Sequence, residues 1–268
     1  MDEILRYHKY LNGKHLNEST LEKCAKKLMG KYRIKKIDTF YQIAEIEFYF
    51  YSLNHRDIIT YPRRCPEKLW FFHQSGVDLT IQSCDEGLNP SFGGILIRSI
   101  IKYNMHGEYI ETICGPQKCV NELFDVLNAV DNSKELTPLL EKHDFGCVKV
   151  VPTQRYISFN VPTKNLKEGR DEKEKYQNEI RRLVKIKYDN ILTENQKRET
   201  NVNNTIGEWL IASKEQNTVD SFSDYLRAKY RYYLENVQWE KGYKAAQIDK
   251  DEKGYKYLLI KTSMKVDS

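Results

Sequence analysis

The run Phe40-Tyr41-Gln42-Ile43-Ala44-Glu45-Ile46-Glu47-Phe48-Tyr49-Phe50-Tyr51 contains neither glycine nor proline and is rich in aromatic and β-branched residues, the composition of one long strand. Side chains alternate across a strand. Ile43, Glu45, Glu47, Tyr49 and Tyr51 therefore fall on one face, and Ala44, Ile46, Phe48 and Phe50 on the other. The apolar set is expected in the core. The opposite face then carries two carboxylates and two tyrosines in a row, which is how a site is built. Residues 32–35 read as a preceding strand joined through 36–39, and residues 19–29 as a helix. Ser19 or Thr20 can cap that helix, Leu21, Cys24, Ala25 and Leu28 recur at helical spacing, and Gly30 stops it.

Further strands are expected at 68–72, 77–83, 94–102 and 147–161, with His73-Gln74-Ser75-Gly76 as a turn. Arg98 stands alone in an otherwise apolar, β-branched strand. An arginine there needs a carboxylate, which Glu47 or Glu45 can supply. The loop 54–68 carries Arg63 and Arg64 and is a candidate electrostatic footprint. Pro116 suits the first position of a helix reaching about Val130. From Lys164 the chain turns to dense mixed charge, with amphipathic helices expected over 164–198, 205–213 and 222–236 and a last strand over 255–262.

Composition narrows the function classes. The chain has 268 residues and a net charge of +5, too mild for wholly electrostatic polyanion binding. The six cysteines form no C-x-x-C pair, and the six histidines lack metal-ligand spacing, so neither a metal nor another cofactor is expected. No P-loop, dinucleotide-binding, zinc-protease or nucleophile-elbow motif occurs. No apolar run approaches the roughly 20 residues that cross a bilayer, and the N-terminal residues do not read as an export signal. A cytoplasmic monomer with no membrane partner is the expectation. Tyrosine is unusually frequent, 19 residues against 13 of Phe and Trp together, giving rings that pack on one side and present a hydroxyl on the other.

Six segments in order resemble the 3-methyladenine (alkyladenine) DNA glycosylase family. They are the helix 20–31, Ile43-Ala44-Glu45-Ile46-Glu47-Phe48-Tyr49, Leu69-Trp70-Phe71-Phe72-His73-Gln74-Ser75-Gly76, Ile95-Leu96-Ile97-Arg98, Gly115-Pro116-Gln117-Lys118-Cys119 and, more weakly, Thr153-Gln154-Arg155-Tyr156-Ile157. The resemblance implies an α+β fold: a single curved, mostly antiparallel sheet flanked by helices, with residues 1–163 as a glycosylase-like core. Residues 164–268 would be a helical C-terminal extension partly packed on it, with 229–234, which resembles a late segment of the family, returning to the core. It also implies a monofunctional N-glycosidase that extrudes a damaged, alkylated purine from DNA and hydrolyses its glycosidic bond. Glu47 would activate water, Arg98 would hold Glu47, and Tyr49, His55 and Phe72 would wall the base pocket. Arg63, Arg64 and Lys68 would meet phosphates.

The departures are specific. Where the family has a tyrosine that wedges into the duplex, this chain has Ser75, so either another side chain such as His73 or Gln74 fills the stack or the substrate is not a duplex. Gln82 stands where the family has a pocket asparagine. Two other readings follow: a catalytically altered or inactive nucleic-acid-binding module, and a hydrolase of small nucleosides, which needs no wedge.

Overall fold

A computed structural model describes residues 18–52, 55–57, 60, 63, 65–84, 91–125, 137–155, 228–240 and 243. Its elements are α1 (Glu18–Lys31), β1 (Tyr32–Lys36), β2 (Thr39–Ser52), β3 (His55–Arg56), β4 (Trp70–His73), β5 (Gly76–Cys84), β6 (Ser91–Asn104), β7 (Tyr109–Cys114), α2 (Pro116–Phe124), β8 (Leu139–Lys142), β9 (Val150–Thr153) and β10 (Arg231–Leu234). The fold is α+β, a curled antiparallel sheet with two helices among the described residues. The principal strand order is β4-β5-β6-β2-β1-β8, and β3, β7, β9 and β10 branch from it.

Two long central strands, β2 and β6, pair along nearly their whole length, and each changes its second neighbour midway. The other edge of β2 pairs with β1 over Thr39–Gln42 and with β10 over Glu45–Glu47. The other edge of β6 pairs with β5 up to Leu96 and with β7 from Ser99. Both changes coincide with register shifts: Ile43 pairs with Ile100, Glu45 with Ser99 and Ile46 with Ile97. That pairing leaves Ala44 on β2 and Arg98 on β6 without a partner across the ladder. Extra residues of this kind re-aim the side chains around them.

The bulge corrects the simple alternation expected for β2. Ile43 does not share a face with Glu45; Ile43 and Ala44 both lie in the hydrophobic core with Ile46, Phe48 and Phe50. On β6 the counterpart bulge brings two successive residues, Arg98 and Ser99, to the side of the glutamates, where both contact Glu45. The core itself joins these strands to Leu21, Cys24, Ala25 and Leu28 of α1 and to Cys119 and Leu123 of α2. Gly76 lets the β4–β5 hairpin approach α2: its φ is +146°, and a Cβ would lie 2.8 Å from Pro116 Cβ.

The C-terminal segment differs most from expectation. A helix was expected over 222–236, yet Arg231–Leu234 is a strand inserted between β2 and β9, buried along its length. Arg-Tyr-Tyr-Leu suits a buried strand, and the pairings available on both sides decide between the two periodicities. Strands β7 and β8 were not expected. The helices expected over 164–198 and 205–213, the strand over 255–262 and the end of the helix beyond Asp125 lie outside the described residues. Among the described residues no helix is long and apolar enough to cross a membrane.

Candidate active site

The glutamate face of β2 is buried under charge. Glu47 is 0% exposed; Arg98 Nη1 lies 3.2 Å from its Oε1, and Arg231 Nε lies 3.9 Å from the same oxygen. Tyr49, two residues along the strand, donates its hydroxyl to Glu47 Oε2 at 2.7 Å. Glu45 is equally buried but differently occupied. Its Oε1 receives Arg231 through both Nε and Nη2, and its Oε2 accepts from Ser99 Oγ at 2.8 Å and from the Tyr243 hydroxyl. A third pair closes the other end: Arg155 grips Asp57 through two nitrogens, at 2.7 and 3.0 Å, and donates to the Phe48 carbonyl at 3.0 Å. Its guanidinium carbon stands 4.8 Å from the centre of the Tyr49 ring.

The charges of this group balance: carboxylates Glu45, Glu47 and Asp57 against guanidiniums Arg98, Arg231 and Arg155. A buried charge needs such a partner, because desolvation of an isolated one costs several kcal/mol. Burial raises the pKa of Glu47, but Arg98, then Arg231, the Tyr49 hydrogen bond and Arg155 together overcome it and hold the carboxyl below its ordinary range. Burial likewise pushes the Tyr49 hydroxyl well up, with the Glu47 charge adding to it, so this group stays a proton-bearing donor.

One atom stands out. Glu47 Oε1 is buried and accepts no hydrogen bond from any described residue, the nearby Arg98 Nη1 being at close distance without hydrogen-bond geometry. Arg98, 18% exposed, is the most exposed of the three arginines in this group. Glu45 is saturated and serves as an anchor. Glu47 combines a fixed orientation, a negative charge and an acceptor position still to be filled.

The structure brings together only part of the expected site. Glu47, Arg98 and Tyr49 converge. Phe72 does not join them: it pairs with Val77 on the core side of the sheet, and its ring packs edge-on against Phe124 at 4.7 Å while remaining 48% exposed. His55 is also on the core side, buried between Tyr230, stacked at 5.5 Å, and Phe50 at 5.7 Å. Arg63 is buried, not a surface charge; it pairs with Asp78 Oδ2 at 2.7 Å and lies 4.1 Å over the Phe71 ring. Its guanidinium occupies the space over Gly94, where a Cβ would come within 2.4 Å of Nη1. His73 contacts Asp78 Oδ1 through Nε2 at 2.9 Å and accepts from the Ser75 amide through Nδ1, which in the neutral ring assigns the proton to Nε2. It therefore holds the hairpin rather than reaching out of it. Ser75 and Lys68 are exposed, and Gln82 donates to the Ser83 carbonyl. Arg64 lies outside the described residues.

Sequence reasoning missed Arg231, Tyr243, Arg155 and Asp57. The rule that picked out Arg98, an arginine within an apolar or aromatic run needing a carboxylate, applies equally to Arg231 in Lys229-Tyr230-Arg231-Tyr232-Tyr233-Leu234. Among the described residues there is no cluster of potential metal ligands. No family model, curated protein or solved structure matches this chain.

Proposed function

We propose that the protein is a divergent glycosylase-like N-glycosidase that hydrolyses the bond between a sugar and a nucleobase, with Glu47 and Arg98 as its catalytic residues. The observation that carries this reading is Glu47 Oε1: a buried carboxylate oxygen that accepts no hydrogen bond from the described residues, beside Arg98 Nη1 at 3.2 Å. A water accepted by that oxygen is positioned to attack the sugar carbon as the base departs. Glu47 takes the water's proton, the electrons of the broken C–N bond leave with the base, which departs neutral when it is an alkylated, cationic purine, and Arg98 holds the carboxylate in place. A carboxylate kept below its ordinary pKa is a weak proton acceptor but is ionised throughout the neutral range. Its contribution is weighted toward stabilising the positive charge of an oxocarbenium-like transition state.

The test is a base-release assay on alkylated and deaminated DNA, single- and double-stranded, and on free nucleosides, with wild type and Glu47→Gln. The wild type is expected to release base, and the variant to lose about 10²–10⁴-fold in rate while still binding. Turnover by Glu47→Gln at the wild-type rate removes this assignment. A second reading, a hydrolase of small nucleosides, is favoured by two features of the β4–β5 region. Arg63 is spent on Asp78, and the exposed turn tip carries Gln74 and Ser75 and no aromatic wedge. Release from nucleosides but not from DNA selects it.

A further inference from the structure

Arg231 reaches this site from late in the chain, and on β10 it stands directly opposite Glu47 in the ladder with β2. Its guanidinium nevertheless binds the other glutamate: Nε and Nη2 both meet Glu45 Oε1. Arg231 Nε stays 3.9 Å from Glu47 Oε1, which accepts no hydrogen bond from any described residue. At that separation most of the attraction between opposite charges is retained, because it falls only as the inverse of distance, whereas a hydrogen bond is lost by about 3.6 Å. Glu45 is itself held by Ser99 Oγ and the Tyr243 hydroxyl, so it cannot swing toward its neighbour and carry the arginine with it.

We propose that Arg231 is a positioning residue for Glu47: anchored on Glu45, its guanidinium supports the negative charge of Glu47 without occupying Oε1, the oxygen left for water. This rests on the N-glycosidase reading and gives the two glutamates separate tasks, Glu45 to hold the arginine and Glu47 to meet the water. Burial works against the Glu47 charge; of the groups that overcome it, Arg98 comes first and Arg231 second. Among the described residues, the other charged or titratable groups on this side of the sheet are already engaged. Tyr49 donates to Glu47 Oε2, Arg155 is paired with Asp57, Asp78 with Arg63 and His73, and Glu240 with Lys118. The thiols of Cys114 and Cys119, raised chiefly by burial, carry no charge at neutral pH.

Removing the Arg231 charge leaves the carboxylates Glu45, Glu47 and Asp57 facing only Arg98 and Arg155, with Arg98 shared between both glutamates. Glu47 then takes up a proton at higher pH. Removing the Glu45 charge instead frees Arg231 to close on Glu47 Oε1 and fill the position meant for water. The experiment therefore deletes Arg231 in two backgrounds of the full chain, wild type and Glu45→Gln. The Glu47 side-chain carboxyl is titrated by ¹³C NMR, its signal identified by its absence from Glu47→Gln, and base release is followed over the same pH range. In both backgrounds Arg231→Gln is expected to raise the Glu47 midpoint by about one to two pH units. Its effect on release is expected to reverse sign: in wild type release fails at a correspondingly higher pH, and in Glu45→Gln, itself slowed about tenfold, release at neutral pH recovers. A merely structural arginine lowers the yield of folded protein and moves neither the midpoint nor the sign. The double variant lacks both charges of the buried pair, so it keeps the test open should Arg231→Gln alone fail to fold. A Glu47 midpoint that ignores Arg231, or a double variant slower than Glu45→Gln, overturns the proposal. Absence of base release by wild type removes the N-glycosidase reading, and the carboxyl titration then decides the Arg231 assignment by itself.

Discussion

Two buried groups of arginine and carboxylate lie on the same face of this sheet, a few strands apart, and they are built to opposite ends. In the first, Asp78 uses both oxygens, one on Arg63 and one on His73, and Arg63 is further covered by Phe71. In the second, Glu47 has one oxygen held by Tyr49 and one that accepts no hydrogen bond from the described residues, beside an arginine that is partly exposed. The residue types are nearly the same. What separates a structural ion pair from a candidate reactive one is therefore not composition but the exposure of the arginine and whether the acceptor capacity of the carboxylate is used up.

Isosteric amides break the comparison most sharply. Glu47→Gln is expected to remove base release, as argued above, at a stability cost of only about 1–3 kcal/mol, because Arg98 reaches solvent and stays 3.6 Å from Glu45. Asp78→Asn is expected to do the reverse: about 3–5 kcal/mol lost, because it removes the carboxylate charge 2.7 Å from the buried Arg63, with base release per folded molecule preserved. Urea unfolding monitored by far-UV circular dichroism, alongside the base-release assay, separates the two. If Asp78→Asn abolishes release in a protein that is still folded, the two groups form one site and the contrast fails.

Acid offers a gentler probe of the same difference. The folded-state pKa of Glu47 is lowered, so the unfolded chain, in which a glutamate titrates near about 4.3, binds the proton more readily. The stability from this group is fully present above that unfolded value and is lost as pH falls through the folded one. Wild type is therefore expected to lose unfolding free energy below about pH 5 more steeply than Glu47→Gln, the two curves converging at the acid end. Glu122, also lowered, through Lys102 and Tyr41 acting against its burial, contributes equally to both proteins and cancels in the difference. Parallel curves would mean that the arginines around Glu47 do not act on it as their distances imply.

The centre of the site was legible because local pattern and electrostatic necessity agreed there. Alternation put Glu45, Glu47 and Tyr49 on one face, and an arginine in an apolar strand demanded a carboxylate. Strand composition and turn residues placed β1, β2, β4, β5 and β6, while the α+β arrangement was what the resemblance implied. The bulges at Ala44 and Arg98 were not legible, because a period of two contains no sign that a residue is skipped; only the change of neighbours from β1 to β10 and from β5 to β7 reveals why the ladder slips there. Arg231 and Tyr243 were missed for a related reason. They reach Glu45 across 186 and 198 residues of sequence, and Arg231 falls in the stretch 222–236 that was expected to be helical. The flanking walls of the site were misplaced because adjacent aromatics, Phe71 and Phe72, point to opposite faces, so that a one-residue difference in hairpin register decides which one meets the charge.

Phe72→Ala puts that last point to the test with the smallest expected effect. The ring packs edge-on against Phe124 and lies on the side of the sheet away from Glu47, so removing it takes away one aromatic pair and half-buried apolar surface, about 1–2 kcal/mol. Trp70, which also packs edge-on against Phe124 and donates to the Pro138 carbonyl at 2.8 Å, keeps the strand seated against the helix. Base release and purine affinity are expected to stay at the wild-type level, with only the unfolding midpoint lowered. A loss of affinity at unchanged stability would return Phe72 to the base-binding site and mean that the β4–β5 hairpin shifts by one residue when ligand binds, which hydrogen exchange at the Val77 and Leu79 amides would register directly.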